Sequence, residues 1–273
     1  MSRGRRLGLR RLGRLWEEDG RGERQRLLPA PTITSPWSEE ARVTLAQGEV
    51  IACESILLGS NYTFIVSLAD ERGGCCLAVY KPRRGEVPLW DFPHGSLYRR
   101  EYAAWLVSQA LGWPFVPPTV IRDGPYGVGS VQFYVGPGEP VSYSRFRWQH
   151  RAELCRITLF DHLTNNADRK ASHIIKGSDG QVWGIDHGLT FHEEWKLRTI
   201  IFDFSGQPIP SDLLRDLRDL RADRQRFGEL EAQLCRLLTP REVAAFSERL
   251  GDLLARRTFP SLDPVYNSPR GFL

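Results

Sequence analysis

The sequence predicts an α+β chain in two lobes, a β-rich half with one main helix followed by a helix-rich half holding one small hairpin. Three observations predict it. From Val50 to Val135 short apolar runs alternate with turn-forming tripeptides, the pattern of strands in a meander. From Ala152 onward apolar residues recur mainly at helical spacing. Gly136-Pro137-Gly138 separates the two regimes. The boundaries follow as a basic arm over residues 1–40, a first lobe over 41–136 and a second over 137–273.

Each element has its own signal. Val50–Leu58 and Thr63–Leu68 are apolar runs flanking Gly59-Ser60-Asn61, and the turn Ala69–Gly74 leads to a third strand, Cys76–Tyr80, with Lys81 at its end. After the loop Pro82–Gly95, Leu97–Leu111 has helical period with Ser96 as candidate N-cap, and Gly112 and Pro114 supply a stop. Val116–Ile121 and Ser130–Val135 are two further strands. Ala152–Leu163 is an apolar helix, followed by the polar loop Thr164–Ser172. His173–Lys176 and Val182–Ile185 flank a Ser178-Asp179-Gly180 turn and form a hairpin. Helices follow at Ser211–Leu220, Phe227–Leu238 and after Thr239, where Thr239-Pro240-Arg241-Glu242 combines a capping box with Pro at the first helical position.

Composition excludes several classes. Residues 1–29 carry nine Arg against four acids, so the net charge of +4 leaves the remaining chain at −1. That distribution gives no case for nucleic-acid binding; the arm is read as a mobile, solvated segment for which peripheral contact with anionic lipid stays open. No apolar run approaches the roughly 18 residues of a membrane-crossing helix. The N-terminus has no signal-peptide core. Five cysteines without a C-x-x-C pair suggest neither a disulfide framework nor a zinc site, and a cytoplasmic thiol-bearing protein is expected. Arginine excess with a single Met points to a GC-rich bacterial genome. Only four of the 37 basic residues are lysines, at 81, 170, 176 and 196, which singles out each one.

Phosphoryl transfer from ATP needs a cation on the phosphates, an acid to hold that cation, carboxylates for a metal, and a group to orient the acceptor. The chain offers a candidate for each, in order. Lys81 leaves an apolar strand beside a turn-rich hairpin, where Gly59 and Ser60 are candidates for nucleotide contact. Glu101 lies on the following helix as its partner, with Glu86 in the loop as a poorer choice. Asp168 sits in a polar loop between helix and strand and could accept or orient a hydroxyl proton; the competing reading is an Asx turn. Asp186 directly follows an apolar strand, with Gly188 two residues on, as suits a metal ligand. Together these match a protein-kinase-like fold with a β-rich N-lobe and a helical C-lobe. His162, His173, His187 and His192 beside Asp161, Asp168 and Asp186 offer a weaker alternative, a transition-metal site. No G-x-S-x-G elbow supports a serine hydrolase.

With those residues in view, the chain from about Leu57 to Trp195 resembles the phosphatidylinositol 3- and 4-kinase superfamily, most closely its type II 4-kinase branch. Tyr80-Lys81-Pro82 and the Arg-Gly-Glu-x-Pro loop look like the branch's lysine strand. Tyr98–Leu111 resembles its glutamate helix, and Gly129-Ser130-Val131-Gln132-Phe133 its approach to the hinge. Asn166-Ala167-Asp168-Arg169 is similar to its catalytic loop, and Ile185-Asp186-His187-Gly188-Leu189-Thr190-Phe191 to its metal-binding segment. The resemblance implies ATP with Mg²⁺ or Mn²⁺, adenine near Phe133, Tyr134 and Val135, Lys81 on the phosphates supported by Glu101, Asp168 in the catalytic loop, and Asp186 as main metal ligand. The family places an Asn five residues after Asp168; this chain has His173, which would be the second metal ligand and would favour Mn²⁺. The cysteine-rich lipid-anchoring loop of type II members has no counterpart in Pro82–Gly95. The expected activity is transfer of the γ-phosphate to a hydroxyl of a lipid, protein or small molecule. A nucleotide-binding pseudokinase and AMP transfer on the same fold are the alternatives.

Overall fold

The computed structural model describes residues 28–56, 61–138 and 143–269, together with two short strands upstream, β1 (Trp16–Glu18) and β2 (Arg24–Arg26), which pair antiparallel. The chain divides into two compact units, one of residues 1–102 and 117–137, the other of residues 103–116 and 138–273.

The first unit is built on a five-stranded antiparallel sheet. Its strands are β3 (Glu49–Ile56), β4 (Thr63–Ala69), β5 (Cys75–Pro82), β6 (Thr119–Gly124) and β7 (Gly127–Phe133), in spatial order β3-β4-β5-β7-β6. Alternation along the strands sorts side chains between two faces. Phe64, Val66 and Leu68 of β4 join Cys76, Ala78 and Tyr80 of β5 in one apolar cluster, which the helix α1 (Glu39–Gln47) covers with Ala41 and Leu45. On the other face Ile65 and Leu77 pack with Leu28 and Ile56. A β-bulge between Val50 and Ala52 adjusts the first strand to its neighbour. The turn before β5 is fixed by Asp70, whose Oδ1 accepts from the amides of Arg72 at 2.9 Å and Gly74 at 2.7 Å.

The segment from Leu28 to residue 40, read as part of a mobile arm, is packed. Leu28 and Ile33 are buried, and the Thr32 and Ile33 amides both donate to the Cys75 carbonyl at 2.9 Å. Helix α1 follows at once, with Ser38 accepting from the Ala41 amide as N-cap. The strand read as Val116–Ile121 lies at Thr119–Gly124, because Pro117 and Pro118 have no amide to give a ladder.

The second unit is helical around one core. It takes the C-terminal part of α2 (Leu97–Ala110), then α3 (Tyr143–Gln149), α4 (Arg151–Thr164), the hairpin of β8 (Ile174–Lys176) and β9 (Val182–Gly184), and helices α5 (Ser211–Ala222), α6 (Arg224–Leu234), α7 (Pro240–Arg256) and α8 (Pro264–Asn267). Every α4 residue from Ile157 to Thr164 is buried, the mark of a helix surrounded on all sides. Leu213, Leu217 and Leu220 of α5 and Val243, Phe246, Leu250 and Leu253 of α7 supply apolar stripes to the same core. The capping box at Thr239 and Glu242 starts α7 as its sequence signature requires.

Candidate active site

In the first unit, Lys81 and Glu101 are joined by an ion pair. The sheet explains how Lys81 gets there. It is the seventh residue of β5 and shares a face with Leu77 and Val79, opposite Tyr80. Its register partner is Ser130, and Pro82 opposes Gly129. A Cβ on Gly129 would sit 2.4 Å from the Lys81 carbonyl oxygen and 2.7 Å from Pro82 Cα, so only glycine lets β7 approach this end of β5. Glu101 is buried at 3% exposure in the second turn of α2, and the Lys81 side chain stays about one-quarter exposed. A cation held by a desolvated carboxylate and still reachable from solvent can receive a phosphate.

Ser96 precedes α2 at the N-cap position, and its hydroxyl donates to the Pro93 carbonyl and accepts from Arg100 Nε at 3.3 Å. Glu86 also reaches the start of the helix from the loop, and its Oε1 accepts from the Tyr98 amide at 2.9 Å. Phe133 ends β7 opposite Ala78, and the Tyr134 amide donates to the Leu77 carbonyl at 2.9 Å, with Val135 next in the chain. Gly59 and Ser60 lie outside the described residues.

In the second unit, the loop after α4 presents Asp168. Asn165 ends the helix in the left-handed conformation, φ 53°. Its side chain bonds the His192 and Glu194 carbonyls and the Lys196 amide. Asn166 Oδ1 accepts from the Asp168 amide at 3.0 Å, so the Asx turn weighed as a competing explanation exists and is what orients Asp168. Lys170 Nζ donates to Asp168 Oδ2 at 2.8 Å. Burial pushes the Asp168 carboxyl above its ordinary range, and the Asp186 carboxylate adds to that, against the lowering by Lys170 and His173.

Asp186 follows β9 with φ 59°, a conformation that a non-glycine residue adopts at a cost and that concentrates at functional sites. Its side chain is about half exposed, and its Oδ2 lies 3.2 Å from His173 Nε2. His173 Nδ1 accepts from the Lys170 amide at 3.5 Å, an arrangement that leaves the ring proton on Nε2 for Asp186. The four histidines of the transition-metal alternative are not gathered. His162 sits among the rings of Trp195 and Phe259, and His187 meets Arg169. No group of three or more His, Cys, Asp or Glu side chains converges on a cation position among the described residues.

Beneath both carboxylates lies a feature that the sequence did not reveal. Arg169, fully buried, makes a bidentate pair with Asp161, Nε to Oδ2 and Nη2 to Oδ1, each at 2.7 Å. Its Nη1 donates to the carbonyls of His173 at 3.2 Å and Ile185 at 3.0 Å, and Nη2 contacts His187 Nε2 at 2.9 Å. Asn166 Nδ2 donates to Asp161 Oδ1 at 3.0 Å. Asp161 reads in sequence only as an acid of the transition-metal alternative, whereas the structure pairs it with Arg169; the signal for that pairing is a charged residue within a continuously buried helical stretch.

The chain has a protein-kinase-like fold, with its β-sheet lobe and its helical lobe. It is similar to the solved structure of hydra Fam20 with sugar at a TM-score of 0.53 and 13% identity, over 84% of this chain and 92% of that one. A Helicobacter pylori proinflammatory kinase, CtkA, is similar at a TM-score of 0.49 and 13% identity, over 78% of this chain and 93% of its own. The chain belongs to the family of Protein Rv2133c of Mycobacterium tuberculosis, with which it is 38% identical over 258 residues, covering 81% of this chain and 91% of the relative. No family model matches the sequence.

Proposed function

We propose that the protein is an ATP-dependent phosphotransferase acting on a hydroxyl acceptor. The observation that carries this reading is the Lys81–Glu101 ion pair, formed between a strand end and a buried helix position within a protein-kinase-like fold. Lys81 binds the phosphates that are not transferred, and Glu101 keeps its ammonium in place. Phe133 to Val135 border the adenine. Asp168, whose carboxyl is raised above its ordinary range by burial, orients the acceptor hydroxyl and takes its proton as the new ester bond forms and the bond to the departing nucleoside diphosphate breaks. Lys170, bonded to that carboxylate, holds it in register before the acceptor arrives.

The donor chemistry fits a divalent cation of the Mg²⁺ or Mn²⁺ type. Asp186 is an outward-facing carboxylate held in a strained backbone conformation, and its charge is one of the causes that raise the Asp168 carboxyl. Asp186 would hold the metal with Asp168 near it, and His173 Nε2 would steady Asp186 rather than bind the ion in this tautomer. The metal, when bound, neutralises charge on the phosphates being separated. The sequence resemblance to type II phosphatidylinositol 4-kinases supports the same assignment of roles and the superfamily membership we favour. The acceptor class is left open by it.

The test is ATP binding and phosphate release by purified protein with Mg²⁺ and Mn²⁺ in parallel. Metal-dependent turnover that disappears in Lys81→Met supports the reading; turnover unchanged in that variant overturns it. The contact of His173 with Asp186 favours one second reading, a nucleotide-binding pseudokinase, which predicts ATP binding and no turnover with either metal.

A further inference from the structure

We infer that Arg169, Asp161 and His187 form a positioning clamp that sets the Asp168 and Asp186 segments relative to each other within the second unit, an inference that rests on the phosphotransferase reading. The clamp is defined by saturation. A guanidinium has five N–H donors in one plane, and here all five have partners: two on Asp161, two on backbone carbonyls and one on His187.

The partners come from three places in the chain. Asp161 belongs to α4, immediately before the loop that carries Asp168. The His173 carbonyl belongs to the end of that loop, and the His173 ring meets Asp186. The Ile185 carbonyl and the His187 ring flank Asp186 on either side. Arg169 itself is the residue after Asp168. One rigid planar group therefore extends from the residue next to one carboxylate to the backbone carbonyl before the other and the ring after it. The backbone bonds Ile185 amide to His173 carbonyl at 3.0 Å and Ala167 amide to Leu189 carbonyl at 2.8 Å run alongside it.

The chemistry explains the residue types. A lysine has three donors on a single nitrogen and no planar fork, so it cannot make the five contacts that Arg169 makes. Asp161 supplies the charge that lets the guanidinium be fully buried. His187 accepts through Nε2, and Asp186 is held at φ 59° between two clamped neighbours. Orientation of ligand side chains by partners beyond the metal typically carries about 10- to 100-fold in metal affinity.

The test compares wild type with His187→Phe, which removes the acceptor, His187→Gln, which restores one near the same position, and Arg169→Lys. Mn²⁺ affinity in the presence of ATP is read by electron paramagnetic resonance. Amide exchange is followed in peptides spanning 164–176 and 183–191. The clamp predicts Mn²⁺ binding weakened about 10- to 100-fold in His187→Phe and recovered to within a few-fold in His187→Gln. It also predicts that exchange rises in both peptides together, although the substitution lies in only one. Wild-type Mn²⁺ affinity in His187→Phe, or a rise confined to 183–191, overturns the clamp. Arg169→Lys is judged by exchange alone should it fold less stably: a rise in both peptides supports the clamp, and a rise confined to 164–176 overturns it. Wild-type protein showing no metal-dependent nucleotide binding would overturn the phosphotransferase reading instead, and the exchange experiment would still decide whether the two segments are coupled.

Discussion

His162 makes the most specific stability prediction in the molecule. It lies in α4 at 1% exposure, among the rings of Trp195 and Phe259, and neither ring nitrogen has a hydrogen-bond partner among the described residues. Burial without a partner disfavours the imidazolium and pulls the group down from 6.5 to about 3. In the unfolded chain the same imidazole titrates near its ordinary value. Below pH 6.5 the unfolded state therefore binds a proton that the folded state refuses, and stability falls as pH falls until the folded-state pKa near 3 is reached. Between pH 7 and pH 5 the loss attributable to this residue is about 2 kcal/mol, from 1.4 kcal/mol per unit acting below 6.5. His162→Leu removes the proton site and both unpartnered nitrogens at similar volume. It should raise stability at pH 7 by about 1 kcal/mol or more, since an unsatisfied buried polar atom costs that much. The assay is equilibrium urea denaturation of both proteins at pH 7 and pH 5. The difference between them should widen by about 2 kcal/mol at the lower pH. A difference that stays constant with pH would refute the reasoning, because the folded protein would then be taking up the proton at His162 as readily as the unfolded chain.

Other predictions follow from single contacts. Glu101→Gln keeps the shape of the Lys81 partner and removes its charge, and should lower kcat/KM for ATP by about 100-fold with the helix content unchanged by circular dichroism. Asp161→Ala leaves the Arg169 guanidinium buried without its counter-charge and should cost about 3–5 kcal/mol in urea denaturation. Thr239→Ala removes the N-cap of α7 and should cost about 1 kcal/mol by the same measurement, with catalysis at saturating ATP unaffected.

The features legible in the sequence are those written locally. The lysine strand, the glutamate helix and the β8–β9 hairpin could be read because alternation, helical period and turn residues each occupy a contiguous window. Lys81 and Glu101 are twenty positions apart and were paired from the order of elements, and the structure joins them. Helix α1 was missed because its inward face is only Ala41, Thr44 and Leu45, too short an apolar stripe to stand out, although Ser38 followed by Glu39 and Glu40 is a helix start. Helix α3 lacks a sequence signal for a similar reason, with Phe146 its one buried side chain. Glu86 was weighed as a partner for Lys81 and instead caps α2, a contact that only the folded loop creates. The Arg169 network was invisible because its members at 161, 169, 173, 185 and 187 share no period; the end of α4, the loop after it and the hairpin bring them together. Among the described residues no helix is long and apolar enough to cross a membrane.

The central claim is metal-dependent phosphoryl transfer that relies on Asp186. It is tested most directly by measuring ATP turnover of wild type and Asp186→Ala with Mg²⁺ and Mn²⁺, with nucleotide binding followed by calorimetry on the same samples. Turnover is expected in the wild type with at least one metal, and its loss in the variant while helix content and thermal unfolding are retained. Equal turnover in the two proteins, or a wild type that binds no nucleotide, would contradict it.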